Sequence, residues 1–456
     1  MKGKSAEKTV FVCSACGHSY SRWMGKCPDC GEWNTIVEEK IVPARQSRAR
    51  SDAGDLRVVP ITRYELEAEP AIKTGLDEFD HLIGGGIVPA SSILIGGEPG
   101  IGKSTLMLQV AGALAERGYP TLYLTGEESA QQVALRGRRL GVTNDAVQVG
   151  AIRELPQIYA LINQVSPALV IVDSVQTLYD PDLESAPGTV SQIRSAAAEL
   201  VDFCKRSDKI LILIGHITKD GAIAGPKVLE HLVDVVLYFE GESHNLFRIL
   251  RVRKNRYGPA AELGIFQIGE AGLSAVANPS ELFLDEYPDD VPGRAVVTAV
   301  EGQRPLLLEL QALATQTNFG FPQRVTSGYD SRRLALMLAI LEKRQKVLFG
   351  QRDVFVNLAG GLKIDDPALD LGLIAALISS VEEIPIVPKT VIIGEVGLSG
   401  EVRAVPYIER RIAESAKLGF ERIVMPKKNL KGLKSIRGIN LIGIDKLADL
   451  PKAVLL

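Results

Sequence analysis

Three things are scarce in this chain of 456 residues: long apolar runs, excess positive charge, and cysteine outside one short segment. The longest apolar stretch, near Leu369–Val381, is interrupted by Asp370, and a membrane-spanning helix needs about 20 apolar residues. The opening MKGKSAEKTVFVC carries charge but no apolar h-region. No secretory leader and no membrane association are expected, and the expected location is the cytoplasm. The formal net charge of −3 excludes a polycation, so any contact with nucleic acid must run through local basic surfaces. Internal repeats at solenoid periods are also missing. Of five cysteines, four fall within the first thirty residues. The fifth, Cys204, lies in a helical-looking stretch and reads as a small buried apolar residue. What is present, 46% hydrophobic and 23% charged residues, suits a chain that buries a large core. Its length suggests two or three domains.

The composition divides the chain into zones. Residues 1–40 hold the cysteine cluster and both tryptophans. Residues 41–57, including IVPARQSRARSDAGD, are arginine-rich, poor in apolar residues and linker-like. Across residues 58–277, strand-length apolar runs (SSILIGG, TLYLTG, ALVIVD, KILILIG, VLYFE) alternate with amphipathic stretches. That alternation predicts an α/β fold in which helices pack on a parallel sheet. Residues 278–293, NPSELFLDEYPDDVPG, form a second break rich in proline and acid. A second α/β domain is expected over residues 294–456.

Cys13-x2-Cys16 and Cys27-x2-Cys30 are separated by ten residues. Two such knuckles direct four thiolates at one ion, the pattern of a structural Zn2+ site. In a reducing compartment this reading outweighs disulfides. The segment is too small to build a core, so the metal would supply its folding energy. His18 is then a bystander, because four sulfurs complete the ion. Such ribbons contact nucleic acid, contact proteins or only stabilise a fold. Arg22, Trp23, Lys26 and Trp33 supply aromatic and cationic surface without deciding among these.

Gly96-Gly97-Glu98-Pro99-Gly100-Ile101-Gly102-Lys103-Ser104-Thr105 follows the apolar SSILIG and precedes the helix-forming LMLQVAGALAERG. Strand, glycine-rich loop and helix in that order make a phosphate cradle of backbone N–H groups at a helix N-terminus. Residues Gly97 to Thr105 are the expected ATP contacts. Lys103 faces the β- and γ-phosphates, and Ser104 ligates Mg2+. Asp173, closing the strand ALVIVD, suits the second position on that magnesium. Glu127 or Glu128, after TLYLTG, is the candidate general base. His216, after KILILIG, is a candidate γ-phosphate sensor.

Together these motifs resemble the RecA-type ATPases, including KaiC and the DnaB helicases. In that superfamily an acid, any residue and a serine follow the strand after the phosphate loop; GEES is similar, and the resemblance favours Glu127 over Glu128. The usual sensor is glutamine, where this chain has His216. RVRKNRYGP places four cations within six residues, from Arg251 to Arg256. The bland reading is a solvated strand end. The resemblance implies instead that Lys254 and Arg256, two apart on one strand face, complete a neighbouring subunit's ATP site as trans-acting fingers. KNRYG, the zinc ribbon and this core together resemble the bacterial RadA (Sms) family of DNA repair proteins. That resemblance implies an ATP-driven motor on single-stranded and branched DNA. It further implies branch migration of recombination intermediates, cooperation with RecA recombinase, and a hexameric ring. The loops expected to face the channel are Tyr179–Thr189, which is acidic, and Thr218–Lys227, which offers Lys219 and Lys227.

In the last domain, GEVGLSGEVRAVPYIERRIAESAKLGFERIVMP and GGLKIDDPALDLGLIAALISS resemble the proteolytic domain of Lon. The family's serine nucleophile is replaced by Ala368, and counting from Gly394 puts its lysine at Glu409. A folded but proteolytically inactive domain is expected. Arg332 and Arg333 are candidate DNA contacts there, with Arg324, Lys343, Arg344 and Lys346, or else part of a solvated face. Two further activities compete with the motor: an ATP-dependent protease, opposed by Ala368 and Glu409, and a KaiC-like signalling ATPase that does not translocate.

Overall fold

The computed structural model describes residues 8–14, 16–41, 71–183, 186, 188–216, 228–240, 247–284, 291–317, 320–433 and 436–456. The loop candidates Lys219 and Lys227, and all but Ile41 of the 41–57 linker, lie outside them. The chain divides into two compact units, Met1–Ala275 and Val276–Leu456.

The first unit opens with a small antiparallel sheet of β1 (Lys8–Cys13), β2 (Ser19–Tyr20) and β3 (Ile36–Ile41), with β1 in the middle. Beyond it come α1 (Asp77–Leu82), β4 (Ser92–Gly97), α2 (Lys103–Glu116), β5 (Thr121–Thr125) and α3 (Ala130–Arg139). The chain continues through β6 (Val147–Gly150), α4 (Leu155–Val165), β7 (Leu169–Asp173), α5 (Val190–Arg206) and β8 (Ile210–His216). It closes on β9 (Val235–Glu240), β10 (Phe247–Asn255), β11 (Leu263–Gly269) and β12 (Gly272–Ala275).

Nine strands form one sheet in the order β12-β11-β10-β9-β4-β8-β7-β5-β6. The run from β9 to β6 is parallel, and the β9–β12 edge is antiparallel. Every residue of β4, β5 and β7 is buried, as expected of strands covered by helices on both faces. One face packs Leu106, Val110 and Leu114 of α2 over Ile93 and Ile95. The other packs Ile193, Ala197 and Leu200 of α5 over Leu94, Leu211 and Leu213. Alternate residues of a strand point to opposite faces, so each central strand feeds both cores. Cys204 is buried in the second of them. The carboxyl ends of β4, β5, β7 and β8 therefore meet along one edge, where a doubly wound sheet binds its ligand.

The second unit comprises α6 (Pro279–Leu282), β13 (Arg294–Glu301), β14 (Arg304–Gln316), β15 (Arg324–Ser327), α7 (Ser331–Ile340), β16 (Arg352–Leu358) and α8 (Asp370–Glu382). These are followed by β17 (Thr390–Ile392), β18 (Glu395–Val396), β19 (Val402–Arg403), α9 (Ile408–Lys417), β20 (Arg422–Pro426), β21 (Asn440–Ile444) and α10 (Leu450–Val454). Its mixed seven-stranded sheet runs β15-β16-β14-β13-β17-β20-β21. The helix α8, apolar almost throughout, is buried from Asp370 to Ser379. No helix among the described residues is long and apolar enough to cross a membrane.

Candidate functional site

The phosphate loop leaves β4 at Gly97 and enters α2 at Lys103. Gly102, at the helix N-cap, has φ +117°, and no side chain caps the helix. A Cβ there would also stand 3.2 Å from Leu273 Cδ1, so glycine meets both the backbone and the space requirement. The uncapped turn leaves N–H groups for an anion. Lys103 is buried, and its Nζ donates to the carbonyls of Gly97 and Glu98, each at 2.8 Å. Burial lowers its pKa to about 8, although Asp173, Glu127 and Glu98 pull in the opposite direction. A desolvated ammonium at the head of α2 is placed to meet the β- and γ-phosphates of a triphosphate.

A phosphate beside Lys103 restores its charge, so the pKa rises on binding. Affinity should be level below about pH 8, where the free lysine is already protonated, and should fall above it, where binding must take up a proton. Titration calorimetry in buffers of different ionisation enthalpy should show proton uptake growing between about pH 7 and pH 8.5. Uptake that does not change over that range would contradict the assignment.

The other candidates converge on the same edge. Asp173 ends β7, and Tyr123 Oη donates to its Oδ2 at 2.6 Å. Burial, with Asp173 and a hydrogen bond to it, pushes the Tyr123 phenol well up; Ser104 hydrogen-bonds the same tyrosine and acts in the opposite direction. Ser104, Tyr123 and Asp173 thus stand side by side, and the hydroxyl and carboxylate fit a hydrated divalent cation. Glu127 follows β5; it accepts a hydrogen bond from Ser174 Oγ and stands 3.2 Å from His216 Nε2. The His216 hydrogen bond, assisted by Ser174 and by the charge on Lys103, overcomes burial and lowers Glu127 to about 2. Glu128 points elsewhere, to Arg136 Nη2 at 2.6 Å, beside the α3 capping box of Ser129 and Gln132. His216 is the last residue of β8 rather than one beyond it, and its Nδ1 is buried with no protein partner among the described residues. Sequence reasoning missed Ser174 and Tyr123. The serine directly after Asp173 was a readable signal, whereas a tyrosine inside an apolar strand was not.

The basic cluster lies elsewhere in the same unit. Arg251 and Arg253 pair with Glu240 at 3.0 and 2.8 Å. Lys254 Nζ donates to the carbonyls of Glu230 and Val233, both at 2.8 Å. Arg256 Nη1 donates to Asp234 Oδ1 at 3.1 Å, and its side chain is 55% exposed. The two cations stay close, and the Arg256 charge acts on Lys254; the pairing with β9 runs on through Arg256 N to Asp234 O at 3.2 Å. β10 ends at Asn255, and the register shift between Val252 and Lys254 precedes both residues. Gly258 of KNRYG packs tightly: a Cβ would sit 2.9 Å from Asn255 Nδ2 and 3.1 Å from Gly84 Cα. Asp234 is tied to Ser92 N and Oγ at 3.0 and 2.7 Å, at the start of β4. The phosphate loop leaves the opposite end of that strand, roughly 16 Å away at ~3.3 Å per residue.

In the ribbon, the four Sγ atoms of Cys13, Cys16, Cys27 and Cys30 lie within 4.8 Å of one another. Cys13 to Cys30 is 3.7 Å and Cys16 to Cys27 is 3.6 Å. A tetrahedral S4 zinc site with bonds of about 2.3 Å has sulfur–sulfur edges of about 3.8 Å, so the thiolates fit Zn2+. His18 turns away to Asp29, at 2.7 Å.

In the second unit Ala368 is fully buried before α8. Glu409 is exposed on α9, whereas Arg411, two residues on, is 1% exposed and donates from Nη2 to Asp366 Oδ2 at 2.7 Å. Asp366 in turn accepts from Ala368 N at 2.9 Å. Arg411 reaches Asp366 because the α9 side that it shares with Ile412 and Ser415 faces the core. Arg333, read as a DNA contact, spends its guanidinium on the buried Asp370 at 2.5 and 2.6 Å. Arg324 is likewise turned onto the Gln323, Phe349 and Arg352 carbonyls. Arg332, Lys343, Arg344 and Lys346 are exposed.

Residues 62–222 match the family model described as an AAA domain, residues 11–38 a rubredoxin metal binding domain, and residues 330–429 the subunit ChlI of Mg-chelatase. A protein of Halalkalibacterium halodurans named DNA repair protein RadA is 48% identical over 446 residues, 97% of this chain and 98% of that one. Its namesake in Bacillus subtilis is 46% identical over 446 residues, 97% of each chain. Among solved structures, a KaiC-like protein of Pyrococcus horikoshii is 21% identical and covers 45% of this chain and 99% of its own, with a TM-score of 0.39.

Proposed function

The chain belongs to the family of the DNA repair protein RadA, and on that premise we propose that it is an ATP-driven motor moving on single-stranded DNA. It is an α/β protein with a RecA-type P-loop core, an N-terminal zinc ribbon and a ChlI/Lon-like C-terminal domain. The observation that carries the motor reading is the position of Lys254 and Arg256. They lie at the end of β4 remote from the protomer's own phosphate loop, with Arg256 half exposed. Cations so placed are suited to a neighbouring subunit's ATP in a closed or filamentous assembly, for which a hexameric ring is the proposed form.

Within each site, Lys103 and the α2 N-terminus bind and neutralise the phosphates. Mg2+, held by Ser104 and Asp173, would supply charge neutralisation of the β- and γ-oxygens. Glu127 takes the proton of the attacking water, His216 reports on the γ-phosphate, and Lys254 and Arg256 from the next protomer stabilise charge on the leaving group. Turnover then drives single-stranded DNA through the ring, promoting branch migration of recombination intermediates alongside RecA. Lys219 and Lys227 on the channel loop, and Arg332 on the second unit, are the proposed phosphate contacts.

The second unit takes no part in proteolysis on this reading. Ala368 has no nucleophilic atom, and a guanidinium such as that of Arg411 does not surrender its proton in proteins. Its buried pair with Asp366 is a structural clamp; removing one partner of such a pair typically costs about 3–5 kcal/mol. The KaiC-like alternative predicts hydrolysis indifferent to DNA, with autophosphorylation. The deciding test is whether single-stranded DNA stimulates ATP turnover and ATP extends a DNA branch. A protein that does neither is not a motor.

A further inference from the structure

The two tryptophans of the chain, Trp23 and Trp33, have no part in the sites above. Both belong to the ribbon, and they are 58% and 67% exposed. Neither is loosely held. Trp23 Nε1 donates to the Ile36 carbonyl at 3.1 Å. Trp33 lies on the return arm of the Cys27–Cys30 knuckle, bridge-paired with Lys26. Cys27 N to Glu32 O and Asn34 N to Gly25 O, each 2.8 Å, fix that arm from both sides. Lys26 Nζ stands 5.6 Å from the Trp33 ring centroid, a cation–π distance. Gly25 lies between the rings: a Cβ there would be 3.7 Å from Trp23 Cη2 and 3.9 Å from Trp33 Cζ3. The rings therefore share one face, with Arg22 and Lys26 exposed beside them. Of the two acids nearby, Asp29 is engaged by His18 and by Tyr20 Oη at 2.7 and 3.0 Å, and Glu32, next to Trp33, is exposed.

We propose that this face is a stacking platform for unpaired bases of single-stranded DNA, with Arg22 and Lys26 against its phosphates. The proposal rests on the reading of the chain as a single-strand motor and gives the ribbon a place in it. Exposed, immobilised indoles interleaved with cations are what sequence-tolerant base stacking requires, since every base offers a π face. A protein-docking surface would add aliphatic area, but Val12 and Ile36 of the ribbon are buried. The face offers π surface and charge instead.

The test uses the full-length, zinc-loaded protein and oligothymidylate of about 30 nucleotides, long enough for several stacked bases. All indole emission comes from this face, because the chain holds only these two tryptophans. Oligothymidylate should quench it saturably, with the same midpoint as the anisotropy of a labelled oligonucleotide. Trp23→Ala and Trp33→Ala should each weaken binding about tenfold, the usual effect of removing a stacked aromatic. Trp33→Phe should retain most of the affinity and Trp33→Leu should not, with zinc content reporting that each ribbon is folded. Binding by anisotropy with unchanged emission and neutral alanine variants would overturn the platform and leave the motor intact. No binding by either signal would instead remove the motor reading beneath it. Quenching by RecA recombinase but not by oligothymidylate would also overturn the proposal, in favour of a protein-docking face.

Discussion

Arg256→Ala should leave ATP binding unchanged and slow its hydrolysis by about 10³-fold or more, the range seen when an arginine finger is removed. The reason is positional. Arg256 rests on Asp234, which is bound to Ser92 at the start of β4, and the phosphate loop leaves the far end of the same strand. The side chain cannot reach its own ATP, yet its exposure leaves it free to swing from Asp234 to a neighbour. Lys254, bound to the Glu230 and Val233 carbonyls, is poised to move with it. Mixing supplies the discriminating control. A Lys103→Ala subunit cannot hold ATP but still carries Arg256, so adding it to Arg256→Ala protein should partly restore turnover. Steady-state hydrolysis across mixing ratios measures this. Unchanged turnover in the single variant would rule out the trans role, and a slow variant that mixing never rescues would place Arg256 in its own fold instead.

Glu127→Gln should bind ATP normally and lower single-turnover hydrolysis by about 10²–10⁴-fold, the usual contribution of a positioned general base. Glu128→Gln should have a far smaller effect on the chemistry, since that carboxylate is committed to Arg136. His216 and Ser174 hold Glu127 at about 2, and a general base works best with a pKa near the operating pH. Glu127 is therefore ionised throughout the physiological range but restrained. A γ-phosphate that draws His216 away would raise its basicity when substrate is in place. His216→Ala should shift upward the acid limb of the kcat/KM profile, which reports the free enzyme, because the lost hydrogen bond no longer favours the charged carboxylate. An unshifted limb would show that His216 does not control the base. Equal losses from the two glutamine variants would show that the assignment between the acids is mistaken.

Much of this could be read before the fold was known, for identifiable reasons. The four cysteines and the phosphate loop are local patterns, in which spacing alone fixes what the backbone can do. The apolar strands announced themselves because a parallel sheet buries both faces. The relation between elements was harder to read. That Lys254 and Arg256 sit at the opposite end of β4 from Lys103 depends on β9 and β10 pairing beside it, which no local window contains. The same holds for Arg411. Counting along the chain placed Glu409 at the family's lysine position, and no local window showed that Arg411, two residues on, meets Asp366. Arg333 looked like surface charge until the fold brought Asp370 to it. Tyr123 was hidden by context, within an apolar strand, whereas Ser174 stood in plain view directly after Asp173 and was passed over.

The claim that hydrolysis moves DNA is tested most directly on a three-strand branched DNA with a labelled displaceable strand, given purified protein and ATP. The expected result is ATP-dependent extension of the branch, stimulated turnover with the single strand present, and loss of both in Arg256→Ala. ATP hydrolysis that proceeds at the same rate without DNA, and leaves the branch where it began, would contradict the account.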